Sequence, residues 1–251
     1  MQTSVSETST NTESRLHFAR CAVVSSSFGL HASRCGKYID AHDAVFRINL
    51  APTEDFELDV GAKTTFQTTH SHLSRKLETE QVEFESKLLQ RVCGAEISLL
   101  LSRDEWPGVD VPHRDEKISK YLNTYCSRPS HGYAKAYVLH DHFTGAGARQ
   151  LHRRDGGIMV LFDALSASNN RSGSMPTTGL ITTLTTFGIC DSVSLYGFTS
   201  ALKGPMHYYD PNGTKFGDSD DSFQSFHDLE VERAFIKVLS RSQTFRVYEI
   251  L

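Results

Sequence analysis

Nowhere in the 251 residues does an apolar run approach the roughly 18 residues that a membrane-crossing helix needs. The N-terminus also lacks the basic end and apolar stretch of a secretory leader. Met1 to Glu13 is mostly Ser, Thr, Asn and Glu, and such a segment cannot bury enough surface to order itself. Residues 1–17 are therefore expected to be a disordered polar tail, and the chain as written reads as soluble. An excess of positive charge is missing too. The 26 Lys and Arg against 30 Asp and Glu give a net charge of −4, and the basic residues form no stripe interleaved with aromatics. Nucleic acid is an unsuitable partner for such a surface. The five cysteines Cys21, Cys35, Cys93, Cys126 and Cys190 include no C-x-x-C and no zinc-finger spacing. Each reads first as a small buried hydrophobe, and composition leaves the redox compartment open.

Two phosphate-binding signatures fall short as well. Gly61-Ala-Lys63-Thr64 looks like the tail of a phosphate loop, but Phe56 stands where its first glycine belongs. The turn after the first predicted strand holds Gly29 alone, not the G-x-G-x-x-G of a dinucleotide oxidoreductase. Asp218-Ser-Asp220-Asp221 resembles the D-x-D of metal-dependent glycosyltransferases, yet its Gly/Ser/Asp-rich setting reads as a solvated turn. His140-Asp-His142 reads as a structural pair. No metal site and no resident cofactor are expected.

The length suits one α/β domain with a sizeable core, predicted over residues 18–251. Strands are expected at Cys21–Val24, Val45–Asn49, Thr64–Thr68, Glu96–Leu101, Ser192–Tyr196 and Phe245–Ile250. Asp59-Val-Gly61 reads as a turn. Residues 73–92 and 117–125 carry helical propensity. Pro176 is expected to open a helix with Leu180, Ile181, Leu184 and Phe187 on one face. Leu229, Val231, Phe235, Val238 and Leu239 give an amphipathic helix from about Asp228 to Ser240. Such alternation predicts a mostly parallel sheet flanked by helices on both faces, with ligands at the carboxyl ends of its strands. Residues 103–175 give the weakest pattern.

Four segments together are far more specific. The first is CAVV from Cys21, then IDAHDAVFRINLAP, then DVGAKTT to Thr65. The second is PTTGL from Pro176, followed by Cys190-Asp191 and SLYGF to Phe198. The third is His207-Tyr-Tyr-Asp210, and the fourth is His227-Asp-Leu-Glu-Val-Glu232. In this order they resemble the large, small, third and very small sialylmotifs of the eukaryotic sialyltransferase family, over most of residues 19–240. The resemblance implies a Rossmann-like GT-A variant fold that works without a metal. It also implies an inverting glycosyltransferase moving sialic acid from CMP-sialic acid to a glycan hydroxyl.

Chemically, a CMP-sugar already carries a good leaving group, and its departure leaves an oxocarbenium-like centre. The protein must hold the nucleotide, stabilise charge growing on the phosphate and remove a proton from the acceptor. His227 stands just before a predicted helix, whose positive end disfavours imidazolium, as suits a general base. By resemblance His227 is that base and Glu232 the accompanying motif acid; a carboxylate in a first helical turn is favoured in any case. The resemblance further assigns His207 to the donor phosphate, where it would stabilise the leaving oxyanion. It assigns Ser26, Asn49, Thr177, Thr178 and Gly179 to donor binding, the last three opening a helix whose free amides suit phosphate oxygens. It pairs Cys21 with Cys190 in a disulfide, which places the chain in an oxidising compartment, the Golgi lumen, reached through an anchor absent from this sequence. Asn170-Arg-Ser172 and Asn212-Gly-Thr214 are glycosylation sequons in keeping with that compartment.

The chain departs from the pattern in places. Ser25-Ser26-Ser27-Phe28 replaces the family's Gly-Asn-Ser-Gly, and Met175 stands where several branches have tyrosine. Two alternatives therefore stay open: transfer of another CMP-activated keto-deoxy sugar acid of the Kdo type, or a non-catalytic nucleotide- or glycan-binding homologue.

Overall fold

In the computed structural model the described residues are 17–70, 97–102, 135–140, 176–186, 189–198, 204–215, 227–241 and 245–248, with Cys93 and Ala95. Seven strands build one sheet: β1 (Phe18–Val24), β2 (Ala44–Ile48), β3 (Phe66–Thr69), β4 (Ile97–Ser102), β5 (Lys135–His140), β6 (Cys190–Tyr196) and β9 (Phe245–Tyr248). They lie in the order β5-β4-β3-β2-β1-β6-β9, and every neighbouring pair is parallel. A second, two-stranded antiparallel sheet joins β7 (Pro205–His207) to β8 (Asp210–Lys215). The expected Rossmann-like sheet is present, and β5 lies in the stretch whose pattern was weakest.

Parallel strands buried on two faces need apolar side chains on both, and the sequence supplies them. One face gathers Cys21, Val23, Phe46, Ile48, Phe66, Val193 and Leu195. Against it pack α3 (Thr178–Thr185), through Leu180, and α4 (Leu229–Leu239), through Val231, Phe235 and Ile236. The Phe46 and Phe66 rings stack at 4.1 Å there. The opposite face presents Ala22, Val24, Val45 and Tyr196 to Leu30, Ile39, Val60 and Tyr208. Short helices α1 (Gly36–Asp40) and α2 (Glu57–Val60) cover that side.

Several local expectations shift. The predicted turn at Asp59 is the last part of α2, and Gly61 ends it at φ +73°, a value glycine adopts without strain. Pro176 lies one residue before the cap rather than inside α3: the Thr177 hydroxyl accepts the Leu180 N–H and starts the helix. On α4 the buried stripe uses Ile236, while Val238 is exposed. The predicted helices near 73–92 and 117–125 lie outside the described residues, as do Met175 and the polar tail through residue 16.

Much of the DVGAKTT string proves to be scaffold. Arg47 is buried in β2, where its guanidinium donates to the Lys63 and Val60 carbonyls and to Thr64 Oγ1. Asp40 accepts the Ala62 and Lys63 N–H groups, and Asp59 accepts those of Ala32 and Arg34. A buried guanidinium persists only when its donors are satisfied, which explains why so many polar residues cluster in this string.

Candidate functional site

The chain runs outward from β1 through β2 to β5 and then returns to place β6 on the other side of β1. The β1/β6 edge is therefore the topological switch point, where the connections diverge and leave a crevice beyond the carboxyl ends. Register makes these ends level: Val24 pairs with Arg47 on one side and with Tyr196 on the other.

Ser25 to Ser27 leave β1 at this point. The Ser25 N–H bonds the Tyr196 carbonyl at 3.0 Å, its hydroxyl donates to the Gly197 carbonyl at 2.9 Å, and its oxygen accepts the Ser27 N–H. Gly197 is needed for this closeness: it has φ +79°, and a Cβ there would stand 2.5 Å from Ser25 Oγ. Ser27 caps the following 3-10 turn, Phe28–Leu30. The Ser26 carbonyl accepts the Tyr208 N–H at 3.1 Å, and Ser27 forms an antiparallel bridge with His207. The hairpin of β7 and β8 is thus docked onto the loop after β1.

His207 sits in β7, with its ring stacked on Tyr209 at 5.0 Å and 4° between planes. Its Nδ1 is buried and has no hydrogen-bond partner among the described residues. Burial lowers its pKa, with the Ser26 backbone and the Asp210 charge acting partly against that. A half-buried imidazole, shifted towards its neutral form, stands beside the strand ends. Phe28, the bulky departure, stacks on His31 at 5.1 Å, and His31 Nδ1 lies 3.2 Å from the Tyr208 carbonyl. The substituted loop is therefore braced against the hairpin.

Asn49 ends β2 in a left-handed conformation, φ +55°, which asparagine tolerates better than most residues. Its Oδ1 accepts the His70 N–H at 3.0 Å. That bond orients the side chain and leaves the amide NH2 as the group available for a ligand.

The helix starts form the other half of the site. Thr178 and Gly179 open α3 with N–H groups that have no partner within the helix. A Cβ on Gly179 would come within 3.3 Å of the Phe198 ring and 3.5 Å of Ile48, so the helix approaches the sheet closely here. His227 is half-buried and directly precedes Asp228, the cap of α4, whose Oδ1 accepts the Val231 N–H at 3.1 Å. Glu232, one turn into α4, is buried and turns towards α3. Its two oxygens accept the Thr177 N–H at 2.5 Å and the Thr177 hydroxyl at 2.6 Å. Burial raises the Glu232 pKa to about 7; the Thr177 bonds oppose that rise and the Asp228 charge adds to it.

The disulfide between Cys21 and Cys190 is formed, closing a separation of 169 residues inside the core. The profile of glycosyltransferase family 29 (sialyltransferase) matches residues 1–244. The chain belongs to this family. The α-2,3-sialyltransferase named CMP-N-acetylneuraminate-beta-galactosamide-alpha-2,3-sialyltransferase 1, from Sus scrofa, is 30% identical over 236 residues, covering 92% of this chain and 58% of that protein. Alpha-N-acetylgalactosaminide alpha-2,6-sialyltransferase 2 of Mus musculus is 32% identical, covering 92% and 60%. The chain thus spans less than two thirds of these relatives. A crystal structure of a mammalian sialyltransferase aligns with a TM-score of 0.53 at 25% identity, over 92% of this chain and 69% of that one.

Within this sialyltransferase-family fold, Ser26 and His207 are joined through the hairpin, and Thr177, Gly179 and Glu232 through the two helix starts. Asn49 lies at the end of the strand beside β1. Asp218, Asp220, Asp141 and His142 lie outside the described residues. Among the described residues no three His, Cys, Asp or Glu side chains gather as metal ligands would. Sequence reasoning missed the parts played by Tyr208 and Tyr209. Tyr208 is buried, its N–H bonds Ser26, and its phenol donates to the Pro52 carbonyl. The run His207-Tyr-Tyr-Asp210 was visible, but nothing in it says that Tyr208 braces the loop after β1 or that Tyr209 stacks on His207. One cysteine is corrected: Cys93, read as a small buried hydrophobe, is disulfide-bonded.

Proposed function

We propose that this chain is the catalytic part of a sialyltransferase that moves sialic acid from CMP-sialic acid to a glycan hydroxyl, inverting the anomeric centre. The observation that carries this reading is the docking of the His207 hairpin onto the loop after β1, at the sheet's switch point. There a half-buried imidazole stands, its Nδ1 unpartnered among the described residues, where a nucleotide phosphate would lie in such a fold. A neutral histidine shifted down by burial gains a proton more readily once an anion arrives beside it. As the glycosyl–phosphate bond breaks, the charge on CMP grows and that hydrogen bond strengthens, favouring the transition state over the ground state. The Thr178 and Gly179 N–H groups and the Asn49 amide supply further donors to the nucleotide. His227 takes the proton of the acceptor hydroxyl as it attacks the face opposite CMP. A single phosphate leaves without a metal to neutralise it, and no cofactor enters the reaction.

The donor and acceptor are small molecules or glycans. Residence in an oxidising secretory lumen such as the Golgi is supported by the disulfide and by the exposure of Asn212 in its sequon. No helix among the described residues is long and apolar enough to cross a membrane.

The test is release of CMP from CMP-sialic acid by the purified chain with a mixed glycan acceptor. His227→Ala is expected to lose roughly 10²–10⁴-fold in turnover while CMP binding changes little. Near-normal transfer by that variant removes the assignment. Release of CMP only from a Kdo-type donor would favour the second donor class, and CMP binding without turnover a binding homologue.

A further inference from the structure

Glu232 is spent differently from what a carboxylate near a helix start usually does. Its carboxyl group does not face solvent at the end of α4; it is buried and reaches across to the first residues of α3. Both carboxylate oxygens accept from one residue, Thr177, whose hydroxyl oxygen at the same time accepts the Leu180 N–H. Cap and clasp therefore share one side chain. On the α4 side, Asp228 caps its helix through Oδ1 while its buried Oδ2 has no partner among the described residues. Two buried carboxyl groups one turn apart would repel, an arrangement that helix packing alone does not require. Four of the eight residues of α3 are threonines, poor helix formers, so its start depends on tertiary contacts for its position.

We propose that Glu232 is a positioning residue: through Thr177 it locks the start of α3 to the start of α4, so that the donor-binding amides and His227 are held as one unit. The proposal rests on the sialyltransferase reading for the roles of those two groups. The Thr177 hydroxyl caps α3 only while it points its hydrogen at Glu232, and Glu232 fixes α4 only one turn after His227. Loosening either bond should let the two helix starts shift separately. Donor affinity and turnover would then fall together, which an effect on stability alone would not produce.

The experiment compares Glu232→Gln, Thr177→Val, Thr177→Ser and the Glu232→Gln/Thr177→Val double variant, at a temperature where all are folded by circular dichroism. CMP affinity and kcat with saturating CMP-sialic acid are measured, together with amide exchange at residues 177–180 and 228–232. At about pH 8.5, above the carboxyl's pKa of about 7, losing a hydrogen bond to the ionised group predicts about a tenfold or greater loss in both CMP affinity and kcat for Glu232→Gln and for Thr177→Val. The double variant should be little worse than either single one. Thr177→Ser, which keeps both donors, should retain the slow exchange that Thr177→Val loses. Additive losses, or a lowered melting temperature with unchanged CMP affinity and kcat, would overturn the proposal. If the wild-type chain turns over no CMP-sugar, the functional reading fails on its own. The clasp is then judged by exchange, and unchanged protection at residues 177–180 in Glu232→Gln would refute it.

Discussion

Glu232 makes an unusual demand on stability, and its sign can be worked out. The folded protein holds this carboxyl at about pKa 7, against an ordinary value of 4.5. Between those two pH values the folded chain keeps a proton there that the unfolded chain has lost. Stability contributed by the protonated group is therefore complete below about pH 4.5 and disappears as pH rises through about 7. The full span corresponds to about 3 kcal/mol, since each tenfold change in proton affinity is about 1.4 kcal/mol. Burial is nearly complete, so solvent screening reduces this little. Urea unfolding at a series of pH values from 4.5 to 8.5 measures it, provided the wild type is compared with Glu232→Gln so that other groups cancel. The glutamine variant should gain about 3 kcal/mol relative to wild type across that range. A flat difference, or one of opposite sign, would show that the two Thr177 bonds outweigh burial and hold the carboxyl ionised.

The remaining expectations concern other parts of the fold. Gly36→Ala should destabilise by about 1–3 kcal/mol in thermal melts, because a Cβ there would stand 1.9 Å from the Glu57 carbonyl oxygen; an unchanged melting temperature would show that α1 and α2 separate freely. Transfer should survive excess EDTA, and loss rescued by Mn²⁺ would turn attention to Asp218 and Asp220. Cys190→Ser should lower stability by roughly 2–5 kcal/mol in non-reducing denaturant titrations, given the length of the closed loop.

How much of this was legible beforehand differs by element. The central strands were, because continuous apolar runs such as those at Cys21 and Val45 have few other places to go than a sheet buried on both faces. Thr177 could be placed on a helix start and Glu232 on another, but their bond crosses 55 residues of chain. Periodicity describes one element at a time and cannot report which helix ends meet. No strand was predicted at His207, because Pro205-Met-His207 is too short to alternate; its strand exists only through its pairing with β8 and its bridge to Ser27. The tyrosines beside it carried no pattern that separates a brace from ordinary aromatic filling.

The disulfide shows why position along a strand matters as much as pairing. Motif order alone suggests that opening the Cys21–Cys190 bond should weaken donor binding, since both cysteines border donor motifs. In the fold, however, Cys21 lies three residues before the end of β1, and Cys190 begins β6. The crevice proposed for the donor is at the other end of those strands, beyond Val24 and Tyr196. Between the two, β1 and β6 stay paired from Cys21–Val193 to Val24–Tyr196. Reduction should thus subtract from global stability by freeing the unfolded chain, while the folded fraction keeps its crevice. CMP affinity of Cys190→Ser, measured well below its melting point, should stay within about twofold of wild type, because sites this far apart along a paired strand couple weakly. A tenfold loss in that folded protein would mean that the bond strains or orients the strand ends directly, and the separation of scaffold from site argued here would be wrong.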